Sequence, residues 1–201
     1  MILSLTEMRH LGTESVGALF ESQLEPLSVE WASSERLRGV PARFDIFISH
    51  AYSDRSVVIG VYQRLKSFGF TLYVDWIHDP QFNRSQITTT TSSHLRKRMR
   101  QCDGLFYITT SRSTNSKWMP WETGYFDGHD RKQPHDGHVA ILPVLDPVPA
   151  SFVGQEYLGL YCWADVVPHR TDSLALRVNR PPGVSIGNGI EYDPWILGMW
   201  P

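Results

Sequence analysis

The sequence predicts an α/β domain on a parallel sheet of about five strands, with helices on both faces. Short apolar runs recur at residues 44–49, 70–74, 105–108 and 139–145, and each reads as a strand. Between them lie stretches of helical period, first Val57, Val58, Val61, Leu65 and Phe68, then Ile87, Thr91, Leu95 and Met99. The strand runs are continuous rather than alternating, as burial on both faces requires. Strand and helix in alternation imply crossover connections and parallel pairing, which is the flavodoxin-like, doubly wound arrangement. Ligands of such sheets bind beyond the carboxyl ends of the strands.

Taken in order, residues 1–42 form an N-terminal helical extension, with a helix expected around 16–24 and a Ser- and Arg-containing linker up to Pro41. The α/β domain spans 43–170. Its first strand ends at Ser49, Ser53 and Asp54 are good N-caps for the helix that follows, and Gly69 closes that helix. The second strand delivers Asp75 and Trp76 into a long loop running from Ile77 to Ser85. A further helix spans about 118–128, its start fixed by Pro120, which a helix tolerates only in its first turn. Pro143 marks either the end of the fourth strand or a sheet edge, and residues 160–163 read as a short fifth strand. Residues 171–201 are a turn-rich C-terminal extension with Trp195 and Trp200 near the end, expected to pack on the domain or on a partner.

Composition excludes several classes of protein. The 201 residues are 41% hydrophobic and 20% charged, enough to bury a core and too apolar for a disordered chain. Nineteen basic against twenty-one acidic side chains give a net charge of −2, so no bulk field points to nucleic acid or an anionic membrane. Arg96, Lys97, Arg98 and Arg100 read as the solvated face of an amphipathic helix. Cys102 and Cys162 have no metal or disulfide spacing, and the histidines and aspartates of 129–138 fit no standard zinc motif, so no metal is expected. Glu7 and Arg9 interrupt the start of the chain where an export signal would be apolar, and no run approaches a membrane span. The expectation is a cytoplasmic protein.

The candidate site lies where the strands end. The first strand delivers Ser49 and His50, followed by Asp54 at the start of a helix whose N–H groups suit a pyrophosphate. A histidine there is also a common structural hydrogen-bonder. Asp75 and Trp76 either line the site or serve the loop, and Arg84 in that loop is a phosphate contact or a surface charge. Trp118 and Glu122 stand four apart at a helix start, on one side of it, with Glu122 read as a first-turn acid at the positive end of the helix dipole. Spacing alone leaves Glu122 either a favourable first-turn acid or a group facing an aromatic ligand that carries a sugar.

Residues 44–54, FDIFISHAYSD, resemble the first conserved box of bacterial-type Toll/interleukin-1 receptor (TIR) domains. Leu72-Tyr73-Val74-Asp75-Trp76 is similar to the strand that leads into their mobile loop. Trp118-Met119-Pro120-Trp121-Glu122 resembles the Trp-x-x-x-Glu that carries the catalytic glutamate of NAD-cleaving members, such as the TIR subunits of the anti-phage system Thoeris. The loop after Asp75 departs from the family by having Asp79-Pro80 in place of Pro-Gly.

The resemblance implies cleavage of the nicotinamide–ribose bond of NAD+, taken as substrate with no cofactor, by Glu122 as the catalytic residue. Ser49, His50, Asp54, Asp75, Trp76 and Trp118 would contact the substrate. The pyridinium nitrogen is already positive, so the leaving group needs no general acid, and a carboxylate suits the cation that develops on the ribose. The products would be ADP-ribose or a cyclic derivative acting as a defence signal on a separate effector protein. The resemblance also implies self-association through the 76–85 loop, with Phe82 and Arg84 in the contact. The rival readings are a non-catalytic TIR interaction module and a nucleoside deoxyribosyltransferase-like enzyme.

Overall fold

The computed structural model describes residues 1–18, 23–81, 88–129, 138–149, 156–169, 173–182 and 189–191. The chain begins with β1 (Leu3–Ser4), α1 (Leu5–Ser15) and α2 (Leu24–Leu37). The α/β alternation follows as β2 (Phe44–Ser49), α3 (Arg55–Ser67), β3 (Leu72–Tyr73), α4 (Asp75–His78), α5 (Thr89–Met99), β4 (Cys102–Thr109), α6 (Trp118–His129) and β5 (Val139–Leu145). The last described strands are β6 (Cys162–Pro168), β7 (Leu174–Asn179) and β8 (Ile190–Glu191).

The strand order is β3-β2-β4-β5-β6-β7-β8. The five strands from β3 to β6 are parallel, as expected for a flavodoxin-like sheet. β7 and β8 add antiparallel strands from the C-terminal region, and Arg177 of β7 clasps buried Asp165 of β6 at 2.7 and 3.0 Å. Successive residues of β4 and β5 serve opposite faces, as the pleat demands. Phe106, Ile108, Ala140 and Leu142 pack with Met8, Ala32 and Val61 of α1, α2 and α3. Leu105, Tyr107, Val139 and Ile141 pack with Leu95, Met99, Met119 and Phe126 of α5 and α6.

The N-terminal region departs from expectation. Helices occupy Leu5–Ser15 and Leu24–Leu37, where the sequence predicts a single helix near 16–24 followed by a linker; residues 19–22 of that predicted helix lie outside the described residues. Ser4 caps α1 by accepting the Glu7 N–H at 3.2 Å, so the polar residues near residue 7 open a helix. The serines of α2 look like linker composition, but Ser28 and Ser33 donate to the carbonyls of Glu25 and Val29 within their own helix. α1 crosses α3 at two glycines. A Cβ on Gly12 would stand 1.8 Å from the Ser56 carbonyl oxygen, and one on Gly60 would stand 1.9 Å from that of Met8.

Pro143 is neither at a sheet edge nor at the strand's last residue. It is buried in central β5, as the last residue paired with β4. On its other side β5 changes neighbour there, pairing through Ala140 and Ile141 with β6 and through Val144 and Leu145 with β1. A residue without an N–H is cheap at such a gap. α3 ends as expected: Gly69 has φ +96, with Gly69 and Phe70 N–H groups returning to the Lys66 and Leu65 carbonyls. The fifth parallel strand is longer than expected, and the segment after Asp75 opens with the helical turn α4 before any loop.

Candidate functional site

A cavity of about 1020 Å³ opens beyond the carboxyl ends of β2 and β3, at the large end of the roughly 300–1,000 Å³ usual for small-molecule sites. His50, Ala51, Asp75 and Trp76 line it from the sheet side. One wall is the segment from Asn115 to Trp118 that opens α6. Another is α2, through Glu25, Val29, Ala32 and Arg36. Tyr52, Ser53, Arg55 and Arg112 complete it with Pro80. Arg36, Arg55, Arg112 and Lys117 outnumber the acids Glu25 and Asp75, so the lining favours an anionic guest.

Each side chain near the sheet is held by identifiable partners. The Trp76 indole donates to His50 Nε2 at 3.1 Å. An indole nitrogen can only donate, so Nε2 accepts and the ring proton lies on Nδ1, which donates to the Ile48 carbonyl at 3.0 Å. Asp75 is buried with Oδ1 3.6 Å from the same Nε2. The Arg55 guanidinium lies 4.6 Å over the Trp76 ring and donates to Ser28 of α2 at 2.9 Å and to Tyr52 at 3.1 Å.

Glu122 is the fifth residue of α6, not a first-turn acid, and it is fully buried rather than rim-facing. The α6 periodicity accounts for this. Met119, Glu122, Thr123 and Phe126 form the inner face, while Trp121, Tyr125 and His129 stack along the outer one at 5.8 and 5.7 Å. A buried acid needs hydrogen bonds, and Ser49 donates to Glu122 Oε2 at 2.6 Å. Asp54, also buried, accepts from Thr110 at the end of β4 at 2.5 Å and makes no side-chain cap bond at the start of α3.

The sequence-derived residues therefore divide into two sets. His50, Asp75, Trp76 and Trp118 line the cavity; Ser49, Asp54 and Glu122 are buried outside its lining. Trp118 links the sets, since it faces the cavity one helical turn before Glu122. Phe82 and Arg84 lie outside the described residues. Arg55, Arg112, Lys117 and the α2 stripe were not anticipated. The spacing of Glu25, Val29, Ala32 and Arg36 was the available signal, four, three and four residues apart on one helical face.

Asp79, just after α4, ties the end of that turn to β3 and α5. It accepts from Nε and Nη2 of Arg98, each at 2.8 Å, and from the Tyr73 hydroxyl at 2.8 Å, and lies 2.8 Å from His94 Nε2. Burial raises its carboxyl pKa, but the bonds from Arg98, His94 and Tyr73 outweigh that and hold it at about 2. Arg98 is thus committed inside the protein. Arg96 and Arg100 lie over the Trp121 and Tyr125 rings at 6.0 Å, so much of the basic cluster braces α5 against α6. No described helix is long and apolar enough to cross a membrane.

A five-stranded parallel sheet with an indole and a glutamate on the helix after its central strand is the setting of a TIR domain. The family profile described as "TIR domain" matches residues 46–176, and the chain belongs to that family. Over 119 residues it is 45% identical to the "Probable 3' cyclic ADP-D-ribose synthase ThsB'" of Bacillus cereus (strain MSX-D12), covering 59% of this chain and 58% of the relative. Over 83 residues it is 31% identical to a Cytobacillus dafuensis protein provisionally named as the cyclic ADP-D-ribose synthase TIR2, covering 41% of this chain and 22% of that one. The matches span less than two thirds of either relative.

Proposed function

We propose that this protein cleaves the nicotinamide–ribose bond of NAD+ and releases nicotinamide with ADP-ribose or a cyclic ADP-ribose as a defence signal. The observation that carries the reading is Trp118 on the cavity wall with Glu122 one turn behind it, in a family member similar to two proteins named as cyclic ADP-ribose synthases. Nicotinamide departs with the electron pair of its bond to ribose C1′ and becomes neutral. The positive charge passes to the ribose, where the Glu122 carboxylate stabilises it more than it stabilises the substrate. Water then attacks C1′ and gives up a proton, yielding ADP-ribose; an attacking group of the nucleotide itself closes a ring instead. The lining cations balance the pyrophosphate.

Glu122 is sealed in this conformation, so catalysis requires its carboxylate to leave Ser49 for the cavity. Self-association through the segment after α4, where Phe82 and Arg84 fall, supplies that change in the present reading. The test is nicotinamide release from NAD+ by the purified protein and its Glu122→Gln variant. Release by the wild type and loss of at least about a hundredfold in the variant is the expected result. Glutamine keeps an acceptor for Ser49 and nearly the same volume, so a folded variant is the fair comparison. A second reading, a non-catalytic interaction module, is favoured by the complete burial of Glu122. Absence of release at any protein concentration would decide for it.

A further inference from the structure

We infer that helix α2, which precedes the TIR-family match, is part of the substrate site and holds the half of the dinucleotide remote from nicotinamide. The inference rests on the NAD+ reading for which end of the cavity is reactive. Four residues of α2, Glu25, Val29, Ala32 and Arg36, form one stripe and all line the cavity, whereas the family match begins at residue 46. The helix is fixed there by several ties. Arg36 donates to the Ile77 carbonyl at 2.5 Å, Arg55 donates to Ser28, and Trp31 packs edge-on against Tyr62 with ring centres 5.4 Å apart.

The wall formed by residues 115–118 ends at Trp118, one helical turn before Glu122, so the bond to be broken belongs at that wall. A dinucleotide reaching from it places its pyrophosphate among the lining cations and its adenosine against α2. The exposure pattern agrees with such a guest. Val29 is 53% exposed and Tyr52 is 63% exposed, two of the larger apolar side chains left uncovered, and both line the cavity. A flat purine would cover them. Arg55, stacked on Trp76 and bonded to Ser28 and Tyr52, joins α2 to the rest of the lining.

The test sets Val29→Glu against Ser34→Glu. Both positions are exposed on α2 and accept a good helix former, but Ser34 does not line the cavity. Calorimetry with ADP-ribose, which carries the adenosine half and the pyrophosphate but no nicotinamide, reads the subsite without turnover. Val29→Glu is expected to weaken ADP-ribose binding roughly tenfold or more, by placing a carboxylate beside a polyanion. Ser34→Glu should leave it unchanged, and circular dichroism should show both variants folded. Equal effects of the two substitutions, no effect of Val29→Glu, or no binding of ADP-ribose to the wild type would overturn the inference. Nicotinamide release from NAD+ separates the two readings. A wild type that cleaves NAD+ while Val29→Glu keeps the same KM sinks the role of α2 alone. A wild type that binds ADP-ribose in a Val29-dependent way yet releases no nicotinamide keeps α2 as a nucleotide-binding wall and sinks the cleavage.

Discussion

Trp118 and Glu122 share a side of α6 but meet different surroundings. Glu122 is turned into the protein against Ser49, whereas Trp118 is half-buried and faces the cavity, edge-on to Trp121 at 5.4 Å. Truncating Trp118 removes a wall and leaves the acid in place. Trp118→Ala should therefore change the ratio of linear to cyclic product, or lower turnover, without the loss expected for Glu122→Gln. Chromatography of the nucleotide products measures this, and an unchanged ratio and rate would make Trp118 a packing residue. Asp79 affords a test of a different kind. Its folded pKa of about 2 lies below the ordinary 3.8, so its ion pair stabilises the protein above about pH 4. That contribution is lost as pH falls from 4 towards 2. Asp79→Asn should cost about 3 kcal/mol near neutral pH. The gap between variant and wild type should then narrow in urea titrations carried down to pH 2.5.

At the level of elements, α1 crosses α3 with backbone close to backbone. Cβ atoms built on Gly12 or Gly60 meet backbone carbonyls at 1.8 and 1.9 Å, and a backbone cannot rotate out of the way as a side chain can. Gly60→Ala should destabilise by about 1–3 kcal/mol, as overpacking typically does, and Gly12→Ala similarly. Chemical denaturation would read both; a fall in stability below a few tenths would mean that the helices slide apart freely. The sequence revealed this level unevenly. β2, α3 and β5 were legible because a buried run and an amphipathic stretch closed by a glycine are local signals. α1 was not anticipated, and α2 was not legible because its serines mimic a linker until one sees them bonded to their own helix. Pro143 misled because the change of partner along β5 is a property of three strands at once. Trp118 and Glu122 were legible as a spacing, but the depth of Glu122 was not. That depth depends on which side of α6 meets the sheet, and the outward stack of Trp121, Tyr125 and His129 decides it.

For the whole molecule, the prediction concerns concentration. If the competent state is an assembly, specific activity should rise with protein concentration, because a rarely paired protomer works only in proportion to its paired fraction. Phe82→Ala and reversal of charge at Arg84 should lower assembly and activity together. Activity that stays flat across a wide dilution series, with the protein monomeric by light scattering, would oppose this. The sheet itself limits how copies can meet. Its terminal strands are β3 and β8, of two described residues each, and Leu72 and Tyr73 of β3 are buried. Among the described residues, neither offers the long run of open peptide groups on which a neighbouring chain could be templated. At the β3 edge, an assembly of copies would have to be made by side chains on helices and loops, a kind of association that dilution undoes and that does not propagate by strand addition there.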